Sequence, residues 1–181
     1  TAKEEDILSN QSYIQKGIVL DKLLRSVIIN KDINTDDLIV GDKNALLIST
    51  RILGYGKDYD IVVKGQDYTL DMSTLDHKEI IESDYESGKN EFHFETPSTG
   101  TRLTYQLSTG RLEKQIEKEI AGLKKLNKDE SSELTTRFKH LITSVNGSEE
   151  KKDIREFVDY QFLARDSRAL RDHISTTQPD V

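Results

Sequence analysis

The sequence contains no cysteine and no tryptophan, and its 181 residues include one methionine and two prolines. The absence of cysteine excludes disulfides and thiolate metal sites for these residues. No apolar run approaches the roughly 20 residues that a membrane-spanning helix needs, and residues 1–6 are acidic where a secretory signal has a basic start. We therefore expect a soluble protein that is cytoplasmic or bound to a larger particle.

Charged and hydrophobic residues are almost equally frequent, at 33% and 34% of the chain. Such a composition predicts a lean core and a well-solvated helix surface. The net charge of -7 argues against a nucleic-acid partner bound through its phosphates, because that mode of binding needs clustered lysine and arginine. It favours a protein partner instead.

The first third of the chain is predicted to be helical. Apolar residues at three- and four-residue spacing predict one amphipathic helix over Ser12–Ile29. Thr35 is predicted to cap a second helix, with Asp36 and Asp37 favourably placed in its first turn.

A further helix is predicted over Lys43–Leu53, with Asp42 as its N-cap and Gly54 as its C-terminal stop. The polar residues of this segment leave one side for packing. The residues expected to be largely buried on that side are Leu46, Leu47 and Ile52.

Two β-hairpins are predicted from short runs of β-branched and aromatic residues. The first joins Tyr59–Val63 to Tyr68–Met72 across a turn at Lys64–Gln66. The second joins Glu91–Glu95 to Arg102–Leu107, and residues 97–100 supply the turn chemistry.

Helices are predicted again after the second hairpin. One covers Arg111–Leu126, and the next runs from a cap at Ser131 or Ser132 to about Val145. A third follows Ser148, and a last short helix is capped by Asp166 and ends near His173. The residues predicted to mark the buried side of the third helix are Ile154, Phe157, Val158, Gln161 and Phe162.

These elements predict an α+β fold in which amphipathic helices pack with two small antiparallel β-hairpins. We expect a single domain over 1–181. A subdivision into 1–76, with the first hairpin, and 90–181, with the second, is compatible with the polar stretch between them.

No catalytic motif is present. There is no G-x-S-x-G sequence, and Gly54-Tyr55-Gly56 lacks the further glycine spacing and the Lys-Ser/Thr pair of a phosphate loop. A helix stop followed by a turn explains these glycines. We therefore predict no enzymatic activity and no catalytic residue.

Metal ligation is also weakly supported. The carboxylates of Asp36, Asp37 and Asp42 lack the alternating spacing of a calcium loop, so helix capping is the preferred interpretation. No two histidines share a helical or knuckle spacing, and His93 alternates with two phenylalanines, so it is predicted to face outward. The four histidines are His77, His93, His140 and His173.

The strongest binding signal lies near the C-terminus. Arg165, Arg168 and Arg171 recur every three residues, which can align their guanidinium groups along one side of a helix. Together with Phe162 and Leu170 they are candidates for a partner-binding surface. The alternatives are an internal cross-link or a solvated face neutralised by nearby carboxylates. Those carboxylates belong to Asp159, Asp166 and Asp172.

Several segments, in this order, resemble the baseplate hub assembly proteins of T-even-type contractile-tailed bacteriophages. The matching segments are 23–26, 33–56, 97–111 and 162–174. The resemblance implies a small protein needed to build the central hub, with a proposed role as a chaperone that binds hub or tape-measure components. It implies no enzymatic activity, and a location in the host cytoplasm during assembly or in the virion baseplate.

The chain departs from this family in its first hairpin. Family members carry a cysteine-containing knuckle there, whereas residues 63–68 contain no cysteine. Zinc is therefore expected only if a knuckle is inserted between Lys64 and Gly65. Two alternatives to an assembly factor stay open, namely a permanent structural baseplate subunit and a metal-dependent enzyme or zinc-ribbon adaptor acting on nucleic acid. The charge and the missing cysteines count against the last.

Overall fold

A computed structural model of the chain describes residues 1–80, 85–126 and 132–180. Its elements form two units, one of Thr1–Glu79 with Pro179–Val181 and one of Ile80–Gln178, which we call unit 1 and unit 2. Helices combined with two small antiparallel sheets confirm the predicted α+β class.

Unit 1 contains four helices and a two-stranded ribbon. The helices are α1 (Ala2–Leu8), α2 (Gln11–Gln15), α3 (Val19–Val27) and α4 (Val40–Tyr55). The ribbon pairs β1 (Asp58–Val63) with β2 (Gln66–Asp71), and a 3-10 turn at Met72–Thr74 follows.

The prediction of a single helix over Ser12–Ile29 is wrong, because the helix is interrupted between α2 and α3. Gly17 lies at the break with a φ of +66°. This left-handed conformation carries no steric cost for glycine but cannot continue a right-handed helix. The apolar residues at three- and four-residue spacing are therefore divided between two short helices.

No helix begins at Thr35, contrary to the prediction. Thr35 is buried, and its hydroxyl accepts a 3.2 Å hydrogen bond from Nε of Arg25. The carboxylate of Asp36 lies 3.2 Å from Nη2 of the same arginine. Arg25 therefore binds the side chains of both Thr35 and Asp36, which the sequence had suggested as the start of a helix.

Helix α4 is longer at both ends than predicted. It begins at Val40, so Asp42 lies inside the first turn rather than at the cap. It continues through Gly54, and the chain leaves the helix at Gly56 with a φ of +86°. The N-cap is Ile39, three residues before the predicted Asp42, and the C-terminal stop is Gly56, two residues after the predicted Gly54.

The core of unit 1 is small. Among the described residues of this unit, the buried hydrophobic side chains are Leu23 and Leu24 of α3. The prediction that Leu46, Leu47 and Ile52 are largely buried is wrong, since all three are only half-buried. The apolar residues of α4 are spread around the helix, so packing on one side cannot enclose them.

Unit 2 is built around a three-stranded antiparallel sheet. Its strands are β3 (Phe92–Glu95), β4 (Arg102–Tyr105) and β5 (Ile142–Val145), in the spatial order β3-β4-β5. Its helices are α5 (Gly110–Leu126), α6 (Glu133–Leu141), α7 (Lys151–Glu156) and α8 (Ala164–Thr177).

Both predicted hairpins and the predicted helix at Arg111–Leu126 are confirmed. The helix predicted to extend to Val145 is wrong, because α6 ends at Leu141 and residues 142–145 form β5. Pairing of β5 with β4 supplies the backbone hydrogen bonds that a longer helix would have supplied. Ser131, one of its two candidate caps, lies outside the described residues.

The last two helices also differ from their predictions. Helix α7 is followed by a π-helical turn at Phe157–Gln161, and Gln161 is exposed rather than buried. Helix α8 runs to Thr177, beyond the predicted end near His173.

The core of unit 2 is extensive. It lies between one face of the sheet and the helices that face it. Its buried hydrophobic residues are Phe92, Leu103, Tyr105, Leu107, Leu112, Ile116, Phe138, Ile142, Ile154, Phe157, Val158 and Leu170.

Candidate protein-interaction surfaces

The three candidate arginines lie on α8 and are exposed. At about 100° per residue, Arg168 projects about 180°, and Arg165 and Arg171 each about 120°, away from the mean direction of the buried residues of the same helix. Those buried residues are Asp166, Leu170 and Thr177. The arginines, which we call the arginine surface, therefore face away from the core of unit 2.

Two residues grouped with the arginines have a different environment. Leu170 is fully buried and belongs to the core. The Phe162 ring packs against the rings of Phe138 and Phe157, with centroid distances of 5.1 and 5.0 Å. The exposed apolar residues at this end of α8 are instead Tyr160 and Leu163. Sequence reasoning missed these two because the direction in which α8 packs was not known.

The carboxylates considered as partners for the arginines have other neighbours. Asp159 forms a 2.6 Å ion pair with Lys139. Asp166 accepts hydrogen bonds from the backbone N–H of Ser98 and the hydroxyl of Thr99, at 2.9 and 3.4 Å. Within the described parts of the chain, neither carboxylate is paired with the arginine surface, so an internal cross-link through them is not formed.

Helices α1, α3 and α4 of unit 1 line an apolar groove of about 720 Å³. Leu53 of α4 is 88% exposed at this groove. On its rim, the hydroxyl of Tyr55 donates a hydrogen bond to the Glu5 carboxylate. The aliphatic residues that line the groove are Leu8, Leu20, Leu23, Val27, Leu47 and Leu53.

A cluster of charged side chains joins three helices of unit 2. Arg155 of α7 donates two hydrogen bonds to the Glu119 carboxylate of α5, at 3.1 and 3.2 Å. Nε2 of His140 on α6 lies 2.8 Å from the same carboxylate. The Arg155 guanidinium, aided by His140 and opposed by partial burial, holds the pKa of Glu119 below its usual range. This geometry is that of a cross-link between helices.

The histidines are dispersed. His93 is exposed on the outer side of the sheet, as predicted, and His77 lies 3.3 Å from Asp76. The His173 ring packs against the rings of Phe94 and Tyr105, at centroid distances of 5.2 and 5.7 Å. Among the residues that the structure describes, no three histidine or carboxylate side chains are grouped so that they could hold a metal ion.

The first hairpin closes directly through Lys64 and Gly65, whose φ angles are +52° and +78°. Positive φ at both central residues is typical of a two-residue hairpin turn. Within residues 1–80, 85–126 and 132–180, no helix has the length and apolar character needed to cross a membrane.

Comparison of the chain with protein-family models, curated proteins and solved structures finds no match.

Proposed function

We propose that this protein is a non-enzymatic morphogenesis protein that assists assembly of a contractile-tail baseplate hub. In this proposal it binds hub or tape-measure components in the host cytoplasm and acts as an assembly chaperone. The proposal assigns it no catalytic residue, nucleic-acid partner or membrane partner. The resemblance of residues 23–26, 33–56, 97–111 and 162–174 to baseplate hub assembly proteins supplies the biological context.

The observation that carries a binding role is the exposed apolar surface of unit 1. Leu23 and Leu24 are buried, whereas many other large hydrophobic side chains of this unit are exposed. These are Ile14, Leu20, Ile29, Ile33, Leu53, Tyr55, Tyr59, Val62, Val63, Tyr68, Leu70 and Leu75. Exposed apolar surface on this scale is typical of proteins that bind other proteins, because water is displaced when a partner covers it.

The groove between α1, α3 and α4 supports the same role. Leu53 and Leu20 project into it, so an apolar segment of a partner could displace water from both. The arginine surface of unit 2 is the second proposed contact. Its guanidinium groups face away from the core, and arginine is enriched at protein interfaces because its planar fork forms paired hydrogen bonds.

The test is co-expression of the tagged chain with the hub and tape-measure proteins of a contractile-tailed phage, followed by quantitative capture. Leu53→Ser and Arg168→Ala should each reduce capture about tenfold, the effect of removing an interface residue that carries substantial binding energy. Both side chains are exposed, so the unfolding curve should hardly change.

Two exposed residues outside these surfaces provide matched controls. Leu126 of α5, which is 82% exposed, belongs to unit 2 and does not line the groove, is changed to Ser, and the exposed Arg102 of β4 is changed to Ala. Neither should reduce capture. The proposal is wrong if neither class of protein is captured, or if the control variants reduce capture as much as the test variants.

A permanent baseplate subunit would bind the same components but stay in the particle. Mass spectrometry of purified mature tails separates the two roles. An assembly chaperone should be absent from the tails, whereas a structural subunit should be present in fixed stoichiometry.

A further inference from the structure

Strand β3 forms one edge of the unit 2 sheet, and its ladder with β4 shows which of its backbone groups are unpaired. The N–H of Thr96 donates a 3.0 Å hydrogen bond to the carbonyl of Thr101, just beyond the paired residues of the two strands. Hydrogen-bonded and non-hydrogen-bonded residue pairs alternate in an antiparallel ladder, so Phe94 exchanges hydrogen bonds with β4 and the residues on either side of it do not. The N–H and C=O groups of His93 and Glu95 therefore point away from the sheet.

This edge of the sheet is open. In the part of the chain that the structure describes, the outward N–H and C=O groups of His93 and Glu95 have no hydrogen-bond partner. Both side chains are exposed. The opposite edge differs, because Val145 of β5 and Ser148 exchange two backbone hydrogen bonds of 2.9 Å there. An exposed edge of this kind is a template for a further strand, so β3 is the edge at which the sheet can be extended.

The residues of β3 are complementary to a second copy of the same strand. A two-fold axis at Phe94 places His93 of each copy opposite Glu95 of the other, so an imidazole meets a carboxylate twice. An axis at Glu95 would place two carboxylates opposite each other and would set Pro97, which has no N–H, against His93. An axis at His93 would place Glu95 opposite Glu91. Charge complementarity therefore favours the axis at Phe94.

We infer that β3 is the dimerisation edge of this protein and pairs antiparallel with β3 of a second copy, which joins two three-stranded sheets into one continuous sheet. The outward groups of His93 bond those of Glu95 in both directions. The half-buried Phe94 of each copy lies opposite the other in a non-hydrogen-bonded pair, whose Cα atoms are about 4.5 Å apart, so the two rings can pack together. The inference goes beyond the proposed function, because it concerns a different surface and does not depend on a hub component.

The dimer should be weak and reversible, because a strand of four residues offers a small contact. Sedimentation velocity of the full chain should therefore show a fraction of dimer that rises with concentration between about 10 μM and 1 mM.

A proline at the edge tests the backbone pairing. His93→Pro removes an outward N–H and leaves the hydrogen bonds between β3 and β4 intact, which is why proline is found on edge strands. It should weaken dimerisation at least about tenfold. His77→Pro makes the same change at an exposed histidine of unit 1 and should leave dimerisation within about twofold. An amide spectrum of each variant verifies that the chain is folded.

Introduced cysteines test the register, since the chain has none of its own. In the inferred register, residue 93 of one copy and residue 95 of the other have Cα atoms about 5.5 Å apart, which a disulfide can span. The two copies of residue 93 are diagonal neighbours at about 7–8 Å, which is too far. A mixture of His93→Cys and Glu95→Cys, with a tag on one of them, should therefore form a disulfide-linked heterodimer on oxidation. Each variant alone should cross-link at least about fivefold less.

Three results would overturn the inference. One is a chain that stays monomeric at about 1 mM, which would mean that a strand from another protein, or none, pairs with β3. Another is equal weakening of dimerisation by His93→Pro and His77→Pro. The third is cross-linking of either cysteine variant alone as efficiently as the mixture. Each can occur with or without capture of hub components, so this test is independent of the test of the proposed function.

Discussion

The buried carboxylate of Asp166, in the first turn of α8, accepts a 2.9 Å hydrogen bond from the backbone N–H of Ser98. Ser98 belongs to the turn that joins β3 to β4, so this bond ties the turn to the helix. The hydroxyl of Thr99 also lies within hydrogen-bond distance of the carboxylate. The negative charge is further favoured by its position near the positive end of the helix dipole.

We predict that Asp166→Ala lowers the free energy of unfolding by about 1–3 kcal/mol, because it leaves the Ser98 N–H without its acceptor. Asp166→Asn keeps an acceptor oxygen and should cost less. Urea unfolding followed by circular dichroism measures both. Asp172→Ala, at an exposed position of the same helix, is the control, and an equal loss there would contradict the prediction.

Two glycines of α4 should respond to alanine with opposite signs. A Cβ at Gly41 would lie 1.9 Å from the backbone oxygen of Pro179, whereas a Cβ at Gly54 would meet no atom within 4 Å. Gly41→Ala should therefore destabilise unit 1 by about 1–3 kcal/mol, because backbone must move. Gly54→Ala should stabilise it by about 0.5–1 kcal/mol, because alanine has less backbone freedom to lose in a helix. Thermal unfolding of both variants measures these changes in stability. A change of the same sign in both would contradict the close approach of Gly41 to the backbone of Pro179.

Truncation to alanine should lower the free energy of unfolding more at Leu24 than at Leu47. Leu24 is fully buried, so Leu24→Ala should cost about 2–5 kcal/mol. Leu47 is half-buried and lines the groove, so Leu47→Ala removes less apolar surface from its neighbours and should cost about 1 kcal/mol. Equal shifts of the urea midpoint would show that Leu47 is enclosed as fully as Leu24.

The base of the ribbon should keep its ion pair in moderately acidic solution. Hydrogen bonds from Lys57 first, and from Ser73 second, lower the pKa of Asp71 from 3.8 to about 2. Because the pKa is depressed in the folded state, the contribution of this pair to stability is present above about pH 3.8 and is lost as the pH falls through about 2.

Nuclear magnetic resonance of the side-chain carboxyl carbon should therefore give Asp71 a titration midpoint near pH 2. Lys57→Met removes the main cause of the shift, so it should raise the midpoint toward 3.8. A midpoint near 3.8 in the unchanged chain would show that the pair is not formed in solution.

Local sequence determined those elements whose stabilising interactions lie close along the chain. Lys64 and Gly65 form a turn that positions β1 beside β2, and the turn at residues 97–100 does the same for β3 and β4. The apolar spacing of Arg111–Leu126 predicted α5, because one side of that helix supplies Leu112 and Ile116 to the core. The arginine surface was also recognisable, since a three-residue spacing keeps these side chains on one side of any helix.

Tertiary structure decided the elements whose partners are distant in sequence. Ile142–Val145 is a strand because β4, about forty residues earlier, offers it a pairing edge. Thr35 is buried beneath Arg25 rather than capping a helix. Leu170 is buried and Phe162 half-buried, whereas Tyr160 and Leu163 are exposed, because the core of unit 2 determines which side of this segment is covered. Periodicity predicts that a helix has two sides, but only the packing partner determines which of them is buried.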